Sequence, residues 1–200
     1  MTETTSNAVS PVRLRLLLAV AAGLCWAAAI SLLLFGNLAP GLNWLAPARM
    51  LFSGLVVVAG MLTFVPLERG LGLPGLTVEG VIGSSLLLSM LAFVPAPTGS
   101  LLELPDLPVY TMLLVGLMLS GAAVVRPFLY AVGQRIFSQR ARARDVGRVR
   151  RQSYEFGVWL AALTALAGLR VLNWVSLLLI TTAFVIAELL LLSLFKAEPE

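Results

Sequence analysis

Apolar residues along the chain gather into long runs, and short clusters of glycine, proline and charge divide them. Residues 16–35 hold twenty consecutive positions without a charge. A helix rises about 1.5 Å per residue, so such a run covers the roughly 30 Å hydrocarbon core of a bilayer. Comparable stretches lie at residues 49–66, 76–94, 109–130, 154–170 and 172–195. They predict one all-α domain over residues 13–196, a polytopic membrane bundle of six transmembrane helices.

A secretory signal peptide is the rival reading of the first run. Its apolar part would cover about 7–15 residues and end at a small-x-small cleavage site. Here Ala27-Ala28-Ala29 is followed by more membrane-type sequence at 30–35, and Leu24 before Cys25 is too bulky for a lipoprotein signal. An uncleaved span is therefore expected.

Gly36, Pro40, Gly41 and Pro47 mark the first connection, since proline is tolerated in the first turn of a helix. Glu68, Arg69, Gly70, Gly72, Pro74 and Gly75 mark the second. Residues 95–108 hold four prolines with Glu103 and Asp106 and read as an acidic external loop, within which 101–107 suits the membrane surface. Pro127 has no amide hydrogen for the carbonyl of Ala123, which predicts a kink in the fourth span. The fifth span is short, with fourteen uncharged residues at 156–169, and a re-entrant segment is its alternative. A hairpin turn is expected from Arg170 to Asn173, asparagine being a turn former. Residues 1–12 read as a disordered tail, 131–153 as a polar loop and 197–200 as a C-terminal tail.

Composition supports the membrane reading. The chain is 59% hydrophobic and 12% charged, with a mean hydropathy of +0.95, against about 45–50% apolar and 25% charged in soluble domains. The absence of histidine removes the commonest general base and metal ligand. Cys25 is alone, so no disulfide framework or thiolate metal site is expected. Thirteen arginines against one lysine point to a GC-rich, bacterial coding sequence.

Charge then orients the bundle. With six spans, one side carries Arg13, Arg15, Arg69, Lys196 and the loop arginines Arg135, Arg140, Arg142, Arg144, Arg148, Arg150 and Arg151. The other side carries Arg49 and Arg170. Positive charge marks the cytoplasmic face, so both termini are expected inside, in a bacterial cell membrane.

Four ionisable groups fall at or within the spans. Arg126 lies roughly 7–8 Å inside the fourth span and Glu188 roughly 10 Å inside the sixth, at similar depth if both helices run inward. Glu79 and Glu155 lie near the same inner boundary. An Arg126–Glu188 ion pair is therefore expected, with snorkelling of Arg126 to the interface as the bland alternative. A transport or proton-relay role is the functional alternative. Trp174 and Thr181 recur at seven-residue spacing from Glu188, which suits a buried stripe.

Small residues form a second signal. Ala19, Gly23, Ala27 and Ser31 recur every four residues, as do Gly157, Ala161 and Ala165, and Gly116 with Ser120. This interval lets helix backbones approach closely, within the bundle or against another subunit. The arginine-rich segment is the third signal. Each basic residue close to an anionic surface contributes about 1 kcal/mol of attraction, so lipid head groups rank first as its partner and an acidic protein second. Nucleic acid ranks last, because only Phe137 and Tyr154 interleave aromatics.

No phosphate-binding glycine loop, His-Glu-x-x-His or Gly-x-Ser-x-Gly motif is present, and no cofactor is expected. Catalysis is disfavoured; a lipid-handling enzyme would have to use Glu79, Glu155 or Glu188. The expected role is a non-enzymatic membrane subunit or scaffold. A small transporter or membrane-embedded binding component, with a polar site near Arg126 and Glu188, is the rival.

Overall fold

A computed structural model describes residues 11–36, 38, 46–95, 101, 106–136 and 146–195. Among them are six helices and no strand: α1 (Pro11–Phe35), α2 (Pro47–Leu71), α3 (Leu76–Phe93), α4 (Leu107–Ile136), α5 (Val146–Gly168) and α6 (Trp174–Phe195). Four stretches are long and apolar enough to cross a membrane: Leu16–Phe35, Pro47–Leu71, Leu76–Phe93 and Leu107–Arg135. Trp174–Leu190 is apolar but shorter. In those four, only 11–28% of the most apolar window is buried inside the protein. Large side chains such as Leu17, Leu24, Met61 and Phe128 stand exposed instead. So much open apolar surface suits a lipid surround rather than water, and the helices are those of a membrane-embedded protein.

The chain divides into two compact units, residues 1–77 and 78–200. In the first, α1 and α2 run antiparallel. Trp26 Nε1 donates to Thr63 Oγ1 at 3.0 Å, and Thr63 Oγ1 donates back to the carbonyl of Ala59 at 2.8 Å. Nearer the α1–α2 connection, the buried Arg49 donates to the carbonyl of Leu38 at 3.4 Å. Proline opens both helices, where its missing N–H costs nothing.

The second span was expected to end at Pro66, but α2 runs on to Leu71. The helix stops only where the backbone turns left-handed, at Gly72 with φ 66°, a conformation glycine adopts without a Cβ clash. Glu68 then holds the turn. Its carboxylate accepts from the N–H of Gly75 at 3.1 Å and of Thr77 at 2.6 Å, satisfying donors that the start of α3 leaves unpaired.

In the second unit α3, α4, α5 and α6 form an antiparallel meander. The cross-helix contacts pair Gly83 with Ser120, Gly116 with Leu87, Gly157 with Met118, and Trp159 with Thr181. Glycine is what lets the first three approach. A Cβ on Gly83 would lie 2.5 Å from the nitrogen of Ser120, one on Gly116 2.9 Å from that of Leu87, and one on Gly157 would collide with the carbonyl of Met118.

Residues 131–153, expected as one polar loop, are helical over most of their length. Helix α4 continues through Pro127 to Ile136, and α5 begins at Val146. Arginine and glutamine are good helix formers, and a helix need not stop where lipid ends. Residues 137–145, with Arg140, Arg142 and Arg144, lie outside the described residues, as do 1–10 of the expected N-terminal tail, Lys196, and the expected C-terminal tail 197–200. Glu103 of the expected external loop does too.

The α5–α6 turn falls at Arg170 to Asn173. Arg170 is left-handed, with φ 58°, and the Val171 N–H reaches back to the Leu166 carbonyl at 3.0 Å. Asn173 then caps α6 reciprocally. Its Oδ1 accepts from the Ser176 N–H, and Ser176 Oγ accepts from the Asn173 N–H, both at 2.8 Å, in the manner of a capping box.

Candidate functional site

The meander brings Glu79 near the start of α3, Arg126 late in α4, residues 150–155 early in α5 and Glu188 late in α6 to one end of the second unit. Two neighbouring polar clusters form there, both built on α5.

The first centres on Arg126, whose side chain is 1% exposed. Its Nη2 forms an ion pair with Glu79 Oε2 and its Nε donates to Ser153 Oγ at 3.1 Å. The other oxygen of Glu79 accepts from the Tyr154 hydroxyl at 2.6 Å and lies 3.5 Å from Arg150 Nη2. The Arg126 and Arg150 guanidinium groups stand 5.5 and 5.8 Å from the centre of the Tyr154 ring, within range of cation–π attraction. Glu79 thus engages both oxygens, while a single carboxylate offsets two cations.

The second cluster surrounds Glu188. Its Oε1 accepts from Gln152 Nε2 at 2.8 Å and lies 3.4 Å from Arg151 Nη2. Arg151 Nε is 3.4 Å from Glu155 Oε1, one helical turn along α5. Two carboxylates here face one arginine, the reverse of the first cluster's balance.

The expected Arg126–Glu188 pair is therefore not formed: Arg126 takes Glu79 and Glu188 takes Arg151. Similar depth put the two residues at one level, but their side chains reach different residues of α5. Snorkelling is not seen either, because Arg126 is enclosed. Of the seven-residue stripe, Thr181 is half-buried and accepts from Trp159 Nε1 at 3.2 Å. Trp174, however, is 79% exposed at the start of α6. Ser153, Tyr154 and Gln152 were missed in these roles. Their signal was the four-residue spacing of Arg150 with Tyr154 and of Arg151 with Glu155, legible only once α5 is known to start at Val146.

Beside Glu188 a groove of about 500 Å³ opens between α5 and α6. Phe156, Trp159, Phe184, Val185 and Leu189 form its apolar wall, and Gln152, Glu155 and Glu188 its polar end. In the first unit a smaller space of about 410 Å³ lies between α1 and α2, and Ala19 and Gly23 border it.

The small-residue faces differ in use. Gly157 and Gly116 are buried in the helix contacts described above, whereas Ala19, Gly23, Ala27 and Ser31 all stand exposed on α1. Of the arginines expected at the surface, Arg135 and Arg150 are exposed while Arg148 and Arg151 are half-buried. No metal-binding group of histidine, cysteine or carboxylate side chains occurs among the described residues.

Comparison with known proteins gives no match to a family model, a curated protein sequence or a solved structure. Chemically, the first cluster is suited to holding α3, α4 and α5 together, because its charges are spent on one another. The second leaves acid in excess beside an open groove.

Proposed function

We propose that the chain is a non-enzymatic membrane subunit or scaffold of a bacterial cell membrane. Six helices cross the bilayer, with both termini and the arginine-rich segment on the cytoplasmic side. The exposed face of α1 docks a helix of another membrane component, and the segment from Arg135 to Arg151 contacts anionic lipid or a cytosolic partner. The observation that carries this reading is the exposure of Ala19, Gly23, Ala27 and Ser31. Small residues at that interval favour close helix contact, and nothing in the first unit fills the space around Gly23. The titratable groups support it too, since Arg126 and Glu79 hold helices rather than face a substrate.

Co-purification from native membranes in mild detergent tests the proposal. Gly23→Leu should release the partner without altering thermal stability. Replacing Arg140, Arg142 and Arg144 with glutamine should weaken binding to anionic liposomes. A strictly monomeric protein, indifferent to both changes, would overturn the reading.

The groove beside Glu188 favours a second reading, a membrane-embedded component that binds a substrate. In that case Glu188→Gln abolishes uptake or binding while the fold survives.

A further inference from the structure

We infer that the groove between α5 and α6 binds one phospholipid with a primary-amine head group, its ammonium on Glu188 and Glu155 and an acyl chain along the aromatic wall. The inference rests on the chain being membrane-embedded, and is independent of whether α1 docks a partner.

Size and shape come first. About 500 Å³ falls in the range of small-molecule sites, which are mostly apolar with a few placed polar groups. The polar groups here are segregated. Gln152, Glu155 and Glu188 lie toward the end of the unit where the charges gather, and Phe156, Trp159 and Phe184 lie further along the groove. Val185 and Leu189 line the groove and are also exposed, so it opens sideways on an apolar surface. A chain can enter from the lipid without crossing water.

Charge selects the head group. Glu155 and Glu188 share Arg151, so with both ionised the site is one positive charge short. Glu188 Oε2 is buried and accepts no hydrogen bond, while Oε1 already takes Gln152. A buried carboxylate oxygen without a donor is costly. A primary ammonium supplies three donors and one charge in a single small group, enough to offset Glu155 and Glu188 together at the polar end of the groove. A quaternary ammonium of equal charge has no N–H to give, and an anionic head group would meet the carboxylates. A proton shared between the two carboxylates would also relieve the imbalance, and the experiment separates these cases.

The full chain in detergent micelles is titrated with phosphatidylethanolamine, phosphatidylcholine and phosphatidylglycerol of identical acyl chains, and bound lipid is counted by native mass spectrometry. Phosphatidylethanolamine should bind about tenfold more tightly than phosphatidylcholine, the worth of one charge-assisted hydrogen bond. Glu188→Gln should erase that preference. Val185→Trp fills the groove while leaving both carboxylates in place, and should lower binding of all chains there. It stands in if Glu188→Gln fails to fold. In a variant keeping only Trp159, brominated acyl chains on phosphatidylethanolamine should quench its fluorescence more than the same chains on phosphatidylcholine. Equal affinity for the two lipids would overturn the inference and assign the charge balance to the shared proton. A preference that survives Val185→Trp would overturn it as well. Release of the protein by carbonate wash would instead strike at the membrane reading itself.

Discussion

The two units use small residues in opposite ways. In the second, Gly83, Gly116 and Gly157 are packed so tightly that a methyl group would strike a neighbouring backbone. In the first, Gly23 has nothing within 4 Å of where its Cβ would stand, while Ala22 and Ala29 of α1 and Phe52, Val56 and Ala59 of α2 are buried and Trp26 bonds to Thr63. The same four-residue spacing thus serves internal packing in one place and remains open in the other. Polar groups divide the same way. The second unit joins its helices through a network of arginine, glutamate and tyrosine, while in the first α1 bonds to α2 through Trp26 and Thr63. A polar-stapled assembly and a helix pair that leaves its small-residue face open imply different jobs, self-support in one and association in the other.

The largest effect should come from breaking the staple. Arg126→Ala leaves Glu79 buried without its main cation, and loss of one partner of such a pair costs about 3–5 kcal/mol, read as thermal unfolding in mild detergent. Replacing both, as Arg126→Met with Glu79→Leu, should recover much of that loss. A double variant no more stable than the single would show that the network is worth more than its charge pair.

Gly157→Val comes next, at about 1–3 kcal/mol for overpacking. Gly23→Val should change stability by less than about 0.5 kcal/mol, as open surface positions do. Equal losses at the two glycines would dissolve the contrast between the units. Trp26→Phe removes one interhelical hydrogen bond, worth about 0.6 kcal/mol in a membrane bundle, and a much larger loss would mean that the α1–α2 pair is tied more strongly than it looks.

An effect of the opposite sign is expected outside both faces. Arg170→Gly should stabilise the α5–α6 turn, because a left-handed residue bearing a Cβ costs about 1–2 kcal/mol and glycine's greater freedom in the unfolded chain offsets part of the gain. Raised thermal stability would confirm it, and a loss would mean that the Arg170 side chain holds the turn.

Much of the architecture was legible because it depends on counting. Apolar run lengths gave the helices, and Arg170 to Asn173 fell between two of them. Depth along a helix was legible too, which is why Glu79, Arg126, Glu155 and Glu188 were expected near one face. Depth fixes the level of a side chain but not the direction it points, so the partners were misassigned. Arg126 meets Glu79 and Ser153, while Glu188 meets Gln152 and Arg151. The early start of α5 was hidden for another reason. Polarity at residues 146–153 reports distance from lipid, not backbone conformation, so Ser153 falls in the expected loop and Tyr154 at the very start of the expected span until the helix places them. The groove was illegible, since it depends on how α5 and α6 are set apart.

The Arg126 network also has an order in time. Glu79 precedes Arg126 by 47 residues and Tyr154 by 75, so the carboxylate leaves the ribosome long before either group that will hold it. At about 5–20 residues per second, its wait for the tyrosine is on the order of 4–15 s. Until Arg126 follows, the start of α3 carries an unclaimed charge, and the bundle can lock only from its late-made side.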